Sequence, residues 1–512
     1  MSRHDVAVIG AGVNGLVCAG LLAKAGRRVI VLESAAHPGG LAAGGEFHPG
    51  YRSAGMHHDT SAVRPEIVSA LQLEKHGLEL AERPGPVLLP ATEGPGLLLP
   101  HGVDDAAREL ARVSPRDAEA YAAYRAFFAR IRPWADRLFR EPPPDLLGNG
   151  DGVRIAREGW ELRRLGADLM LELLRIGPMC VADWLDERFA SPLLKGALAL
   201  PAVAGSFLGP WSPGTQANLV VHECSTARPA RRGAPALVDA LAAAARALGA
   251  ELRLGARVER IRVGAEGVEG VVLTGGEGIG ARIVAASCDP KTALLRLVEP
   301  GRLPLQAQGR LEGWRASGTT AKVNLALSGE PTFACREDYP VEFARITGTL
   351  DDLERAFDPI KYGCFAEAPA LDVWVPTRVN PGWAPSGHHV VSILVHFAPL
   401  RLTSGWDDAA RRRLGDAVVA TLGRHAPSLP GRIVAREVLA PPDVEARWGT
   451  AGGHVHHGDL TLDQLLVRPV PECARYATPI PGLFLAGRGT HPGVALSGAS
   501  GAIAARVILA AR

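Results

Sequence analysis

DVAVIGAGVNGLVCAGLLAKAGRRVIVLE runs from Asp5 to Glu33. Residues 6–9 form a continuous apolar run, as in a strand buried on both faces. Gly10, Gly12 and Gly15 follow at once in G-x-G-x-x-G spacing. Residues 16–26 carry helical apolar spacing among good helix formers and stop at Gly26. A second apolar run ends in Glu33. The pattern predicts one βαβ unit of about thirty residues. Gly10 would allow the tight turn, Gly12 the approach of a pyrophosphate, and Gly15 the packing of helix on strand. The helix start, with Val13 and Asn14 in its first turn, offers free N–H groups and a positive partial charge to phosphates. Glu33 and Ser34 close the second strand, where a carboxylate can accept bonds from ribose hydroxyls. The chain has 59 glycines in 512 residues. Three at fixed spacing then arise about 0.8 times by chance, so the strand, helix and acid around them carry the inference of dinucleotide binding.

At 512 residues the chain exceeds the size at which one core stops growing, which predicts two or more domains. Its hydrophobic fraction of 47% excludes global disorder. A net charge of +2 with mixed signs leaves no footprint for nucleic acid. The seven cysteines are scattered without a CxxC or metal-type pair, so they read as buried thiols in a reducing, cytoplasmic compartment. No signal peptide is expected, because the start leads straight into a strand. The most apolar run, ALALPAVAGSFLGPW from Ala197 to Trp211, is broken by prolines and glycines, which argues against a spanning helix. It reads as a buried wall of a substrate domain. The alternative is a lid touching a greasy substrate or a membrane, which would add a peripheral membrane contact.

Residues 76 to 225 read as mainly helical. SPRDAEAYAAYRAFFARI opens on Ser114 as a cap and continues with helical apolar spacing. EPPPDLLGNGDG, residues 141–152, reads as a hinge or a long surface connection. Residues 234–263 return to a helix followed by strands, and GGEGIG at 275–280 reads as a hairpin turn. TTAKVNLAL at 319–327 is a strand with Lys322 inside an apolar run. A lysine there is costly unless its head reaches water or a partner, and an edge strand would let it snorkel. HVHHGD at 454–459 alternates histidines as a metal-binding strand can. A cavity wall or surface loop is the simpler reading, and no metal site is assigned. LFLAG at 483–487 reads as a strand, followed by a glycine-rich turn and a helix beginning near Ser497–Gly498.

Gly39 and Gly40 lie six and seven residues beyond Glu33. This E-x5-G-G arrangement resembles the second fingerprint of glutathione-reductase-like flavoproteins, which implies FAD. The βαβ unit, Gly39–Gly40, SPRDAEAY, AKVNLAL and GDLTLDQLLVRPVPECARYATPIPGLFLAGRGTHPG together resemble the phytoene-dehydrogenase-related family of FAD oxidoreductases within the amine-oxidase superfamily. The resemblance implies an α/β fold: a Rossmann-like FAD domain in three segments, 1–75, 225–300 and 445–512. An inserted α+β substrate domain would comprise a mainly helical part, 76–224, and a mixed part, 301–444. The positions that match FAD contacts are Gly10, Gly12, Gly15, Glu33, Gly39, Gly40, Val258 and Gly487. Val13, Asn14 and Ser34 join them, and Gly55, Met56 and His57 would lie beside the ring. Gly493, Val494 and Gly498 would follow the ribityl chain and ring. Lys322 is similar in placement to the lysine that holds a water at flavin N5 in amine oxidases. ASCDP and VALSG depart from the usual patterns of carotenoid enzymes and put carotenoids in doubt.

The implied activity is FAD-dependent dehydrogenation or desaturation of a hydrophobic substrate, an isoprenoid or secondary metabolite, with hydride passing to flavin N5. Candidate proton acceptors are His57, His491 and a water on Lys322. With no second nucleotide fold and no redox cysteine pair, dioxygen or a quinone would be the electron acceptor. Two alternatives stand beside this reading: an oxidase of amines or alcohols, and a non-redox isomerase or binding role with a structural flavin.

Overall fold

Strand β1 (His4–Ile9), helix α1 (Val13–Lys24) and strand β2 (Val29–Leu32) form the βαβ unit in the computed structural model. The structure describes residues 4–145, 151–465, 467–493 and 495–511. β1 and β2 run parallel, with Val6 opposite Val29 and Ile9 opposite Leu32. Both runs are apolar because helices or loops cover both faces of a parallel sheet. Distant segments extend it. Glu251–Arg253 pairs beyond β2, Gly278–Ala286 pairs on the other side of β1, and Leu483–Leu485 runs parallel beside that strand. α1, the helix Ala234–Ala247 and the C-terminal helix Ala499–Ala510 share one apolar core. GGEGIG is a hairpin turn, where Leu273 N–H donates to the Glu277 carbonyl at 2.9 Å.

A second sheet of seven strands has the order 433–439, 320–327, 389–396, 371–374, 343–346, 87–89 and 97–99. Alternation along its strands separates two faces. Val323, Leu325, Val391 and Ile393 pack on Leu414, Val418 and Leu422 of the helix Asp408–His425. The opposite face carries Lys322, whose cross-strand neighbours are Leu394 and Leu439. Lys322 therefore does not lie on an edge strand, and it does not snorkel. Its strand is paired on both sides and its side chain is 1% exposed.

The helix Pro115–Arg140 starts where Ser114 accepts a bond from Asp117 N–H. Asp117 is fully buried and accepts from Ala190 N–H at 2.6 Å and Ser191 N–H at 2.7 Å, which ties this helix to the start of the helix Pro192–Val203. Asp117→Ala would remove the charged acceptor of two backbone N–H donors. We expect it to destabilise the protein by about 2–5 kcal/mol, read by urea unfolding followed through tryptophan fluorescence.

The apolar run 197–211 is mostly a buried wall, with Ala197 to Val203 inside the helical core and Phe207 and Trp211 partly exposed. Among the described residues no helix is long and apolar enough to cross a membrane. The reading of all cysteines as buried is corrected, since Cys364 is exposed in a short surface turn. Residues 146–150 of the breaker-rich stretch 141–152 lie outside the described residues.

Candidate functional site: a dinucleotide cleft joined to a buried lysine

The ends of β1 and β2 and of the strand Gly278–Ala286 open onto a cleft of about 440 Å³. Such crevices beyond the carboxyl ends of parallel strands are where this architecture binds nucleotides. On its floor Gly10 turns the chain at φ +94° and Gly12 begins α1. A Cβ on Gly15 would lie 2.1 Å from the Gly10 carbonyl oxygen, so only glycine lets the helix sit this close. A Cβ on Gly12 would meet nothing within 4 Å. Val13 and Asn14 line the same wall, and the first turn of α1 has no side-chain cap and no acid. Its N–H groups are thus left to a phosphate.

Glu33 and Ser34 line the next wall. The Glu33 carboxylate accepts from Ala11 N–H at 2.8 Å and Ala35 N–H at 2.9 Å, which aims it while leaving lone pairs for ribose hydroxyls. Gly39 N–H donates to the Ala11 carbonyl at 2.9 Å, and Gly40 packs near Gly12 Cα, so the two glycine motifs meet. Val258 and Gly498 complete the lining from distant segments. Of the other expected contacts, Gly55 borders a small void, and Met56 is buried against Leu41 and Val455. Gly487 backs onto the Ser287 and Cys288 carbonyls, and Gly493 packs on Arg468. Val494 lies outside the described residues.

A small void of about 10 Å³ shares Ala43, Arg447 and Trp448 with the cleft and is lined by Gly55, Lys322, Asn324 and Glu437. Asn324 is fixed by Ser53 Oγ, which donates to its Oδ1 at 2.8 Å, and donates from Nδ2 to Glu437 at 2.7 Å. Lys322 Nζ lies 2.7 Å from His58 Nε2. Burial lowers the Lys322 pKa to about 7, although Glu437 nearby pulls it upward. Burial, and next the charge of Lys322, holds His58 well below the ordinary histidine range.

The histidines divide. His57 lines the cleft, but its Nε2 lies 3.1 Å from Arg488 Nη1 and accepts that donor. Burial and then the Arg488 charge push its pKa far down, so it is poorly placed to take a proton. His491 does not line the cleft. Its Nε2 lies 2.9 Å from the Leu138 carbonyl, and burial lowers its pKa to about 4. HVHHGD is a buried turn and not a strand. His456 Nε2 meets the Ala204 carbonyl at 2.9 Å, and only His457 of the three lines the cleft. Among the described residues no cluster of three or more His, Cys, Asp or Glu side chains is arranged to hold a metal.

Sequence reasoning missed Arg488, His457 and Asp289 as cleft residues. Asp289 follows the strand Gly278–Ala286 and Arg488 the strand Leu483–Leu485, both just past the carboxyl end. That position was the available signal.

A parallel sheet with this glycine turn, a fixed carboxylate at the end of β2 and an uncapped helix start defines a Rossmann-type dinucleotide-binding fold. Residues 91–509 match the family model described as flavin containing amine oxidoreductase, and residues 8–63 match that of the NAD(P)-binding Rossmann-like domain. The chain belongs to the flavin containing amine oxidoreductase family and is an FAD-dependent oxidoreductase. It is 31% identical to pyridine nucleotide-disulfide oxidoreductase domain-containing protein 2 of Rattus norvegicus, over 99% of this chain and 93% of that one. It is 28% identical to hydroxyneurosporene desaturase of Cereibacter sphaeroides, over 99% and 97%. Its fold is similar to that of wild-type putrescine oxidase bound to putrescine, with a TM-score of 0.61, 16% identity and coverage of 99% of both chains.

Proposed function

We propose that this protein dehydrogenates a largely apolar small molecule, an isoprenoid or a secondary metabolite, with Lys322 taking the substrate proton. The observation that carries the reading is the buried Lys322, hydrogen-bonded to His58 and lining a small void that shares three wall residues with the cleft. A lysine with a pKa near 7 is an effective base at neutral pH. The likeness to a hydroxyneurosporene desaturase supports an apolar substrate.

In this reading residues 1–75, 225–300 and 445–512 hold FAD, and 76–224 and 301–444 hold the substrate. The α1 start takes the diphosphate, Glu33 the adenosine ribose, and the backbone at Val258 the adenine. Bound FAD would supply the acceptor for the hydride. Lys322 takes the matching proton, and His58 orients its Nζ. Dioxygen or a quinone is the final acceptor in this reading. The partly exposed Phe207 and Trp211 would serve a peripheral membrane contact.

The test is anaerobic addition of isoprenoids and of amines to the FAD-loaded protein. Bleaching of the flavin spectrum by isoprenoids alone is expected. Bleaching by amines alone would replace the reading with an amine oxidase, and bleaching by neither with a non-redox role. His491→Gln should keep the bleaching rate within about threefold of wild type, because its side chain bonds a carbonyl outside the cleft. A stopped-flow rate lost by orders of magnitude would return His491 to the mechanism.

A further inference from the structure

Among the described residues three arginines are buried: Arg64, Arg468 and Arg488. Burying a guanidinium without compensation is costly, so each should have partners. Arg64 is ion-paired with Asp136. Arg468 donates to the carbonyls of His456, Gly458, Asp459 and Gln464 at 2.9–3.2 Å. That guanidinium clasps a turn. Arg488 has only Nη1 engaged, with the Val455 carbonyl and His57 Nε2, each at 3.1 Å. Among the described residues its Nη2 has no partner, and of the three it alone lines the cleft, while its Nε is buried without a partner as are those of Arg64 and Arg468.

A buried cation with spare donors facing a ligand cleft calls for an anionic partner from the ligand. The α1 start already serves the diphosphate at the Gly12 end. Arg488 lines the cleft together with His57, which it bonds, and the next residue, His58, bonds Lys322. We infer that Arg488 is a cofactor-binding residue at the reacting end of the cleft, where its guanidinium holds the negative charge that bound FAD gains on reduction. This rests on the FAD reading of the cleft. Neutral His57 fixes one Nη1 donor, and the Val455 carbonyl fixes the other. The Nη2 donors, left without a partner, are then preorganised for an anion at the moment of charge transfer. Burial lowers the Arg488 pKa only to about 9, so the group is still charged at neutral pH.

The experiment measures three quantities on holoprotein: FAD affinity, the flavin midpoint potential, and affinity for sulfite, which leaves negative charge on the flavin when it adds. Arg488→Met should keep FAD and lower the two-electron potential by about 30 mV for each tenfold loss of stabilisation. Sulfite binding should weaken at least tenfold. Arg488→Lys, which keeps the charge without the fork, should recover part of both. Unchanged potential and sulfite affinity in a flavin-bound Arg488→Met would overturn the assignment. Loss of FAD affinity with an unchanged potential in reconstituted protein would overturn it too, and move the contact to the diphosphate. If Arg488→Met does not fold, the Arg488→Lys potential decides alone, and a value equal to wild type with equal sulfite affinity counts against the fork's part in holding the charge. Wild-type protein that binds no FAD would instead remove the reading of the cleft itself.

Discussion

Gly12→Glu is expected to fold as the wild type does and to emerge from purification without flavin. Gly12 has φ −69° and ψ 172°, a backbone any residue adopts, and a Cβ there meets nothing within 4 Å. The added carboxylate would take the N–H groups at the start of α1 and repel the diphosphate. An acid at a helix start also favours the helix by about 0.3–1 kcal/mol, so the melting temperature should not fall. FAD affinity should drop on the order of a thousandfold, or ~4 kcal/mol, in fluorescence titration of the apoprotein. Gly15→Ala is the contrast, because its Cβ would collide with the Gly10 carbonyl and open the turn. That variant should lose stability and flavin together. A Gly12→Glu protein that retains one FAD per chain would place the phosphate elsewhere.

Lys322→Met should keep FAD and lose the substrate-driven bleaching rate by about 10²–10⁴-fold, the usual range for removal of a general base. Wild-type rates should rise as pH passes upward through about 7, where Lys322 loses its proton, and the variant should lack that limb. The same group gives a stability signature of known sign. Its folded pKa is about 7 and the ordinary lysine value 10.5, so the unfolded chain binds more protons between those limits. Wild-type stability therefore rises with pH across that window, and the variant should not follow it. The variant should fold well, since methionine removes a buried amine and fills similar space. Equal rates at all pH values in wild type and Lys322→Met would mean that another group takes the proton.

The βαβ unit, the glycine spacing and the acid at Glu33 were legible because each is local. Strand, turn and helix of such a unit lie within about thirty consecutive residues, and their periodicities are set by backbone geometry. The same holds for the Ser114 cap and the hairpin at residues 275–280. The role of each histidine was not legible. His57 and His58 are neighbours in sequence, yet one is held by Arg488 and the other faces Lys322, partners 431 and 264 residues away. Lys322 looked like an edge lysine until strands 389–396 and 433–439 closed around it. Hydrogen-bond partners and burial are properties of the packed chain. They set whether an imidazole or amine can hold a proton, so the cofactor was readable from a local motif, while the proton-taking group and the unpaired Arg488 emerged only from long-range contacts.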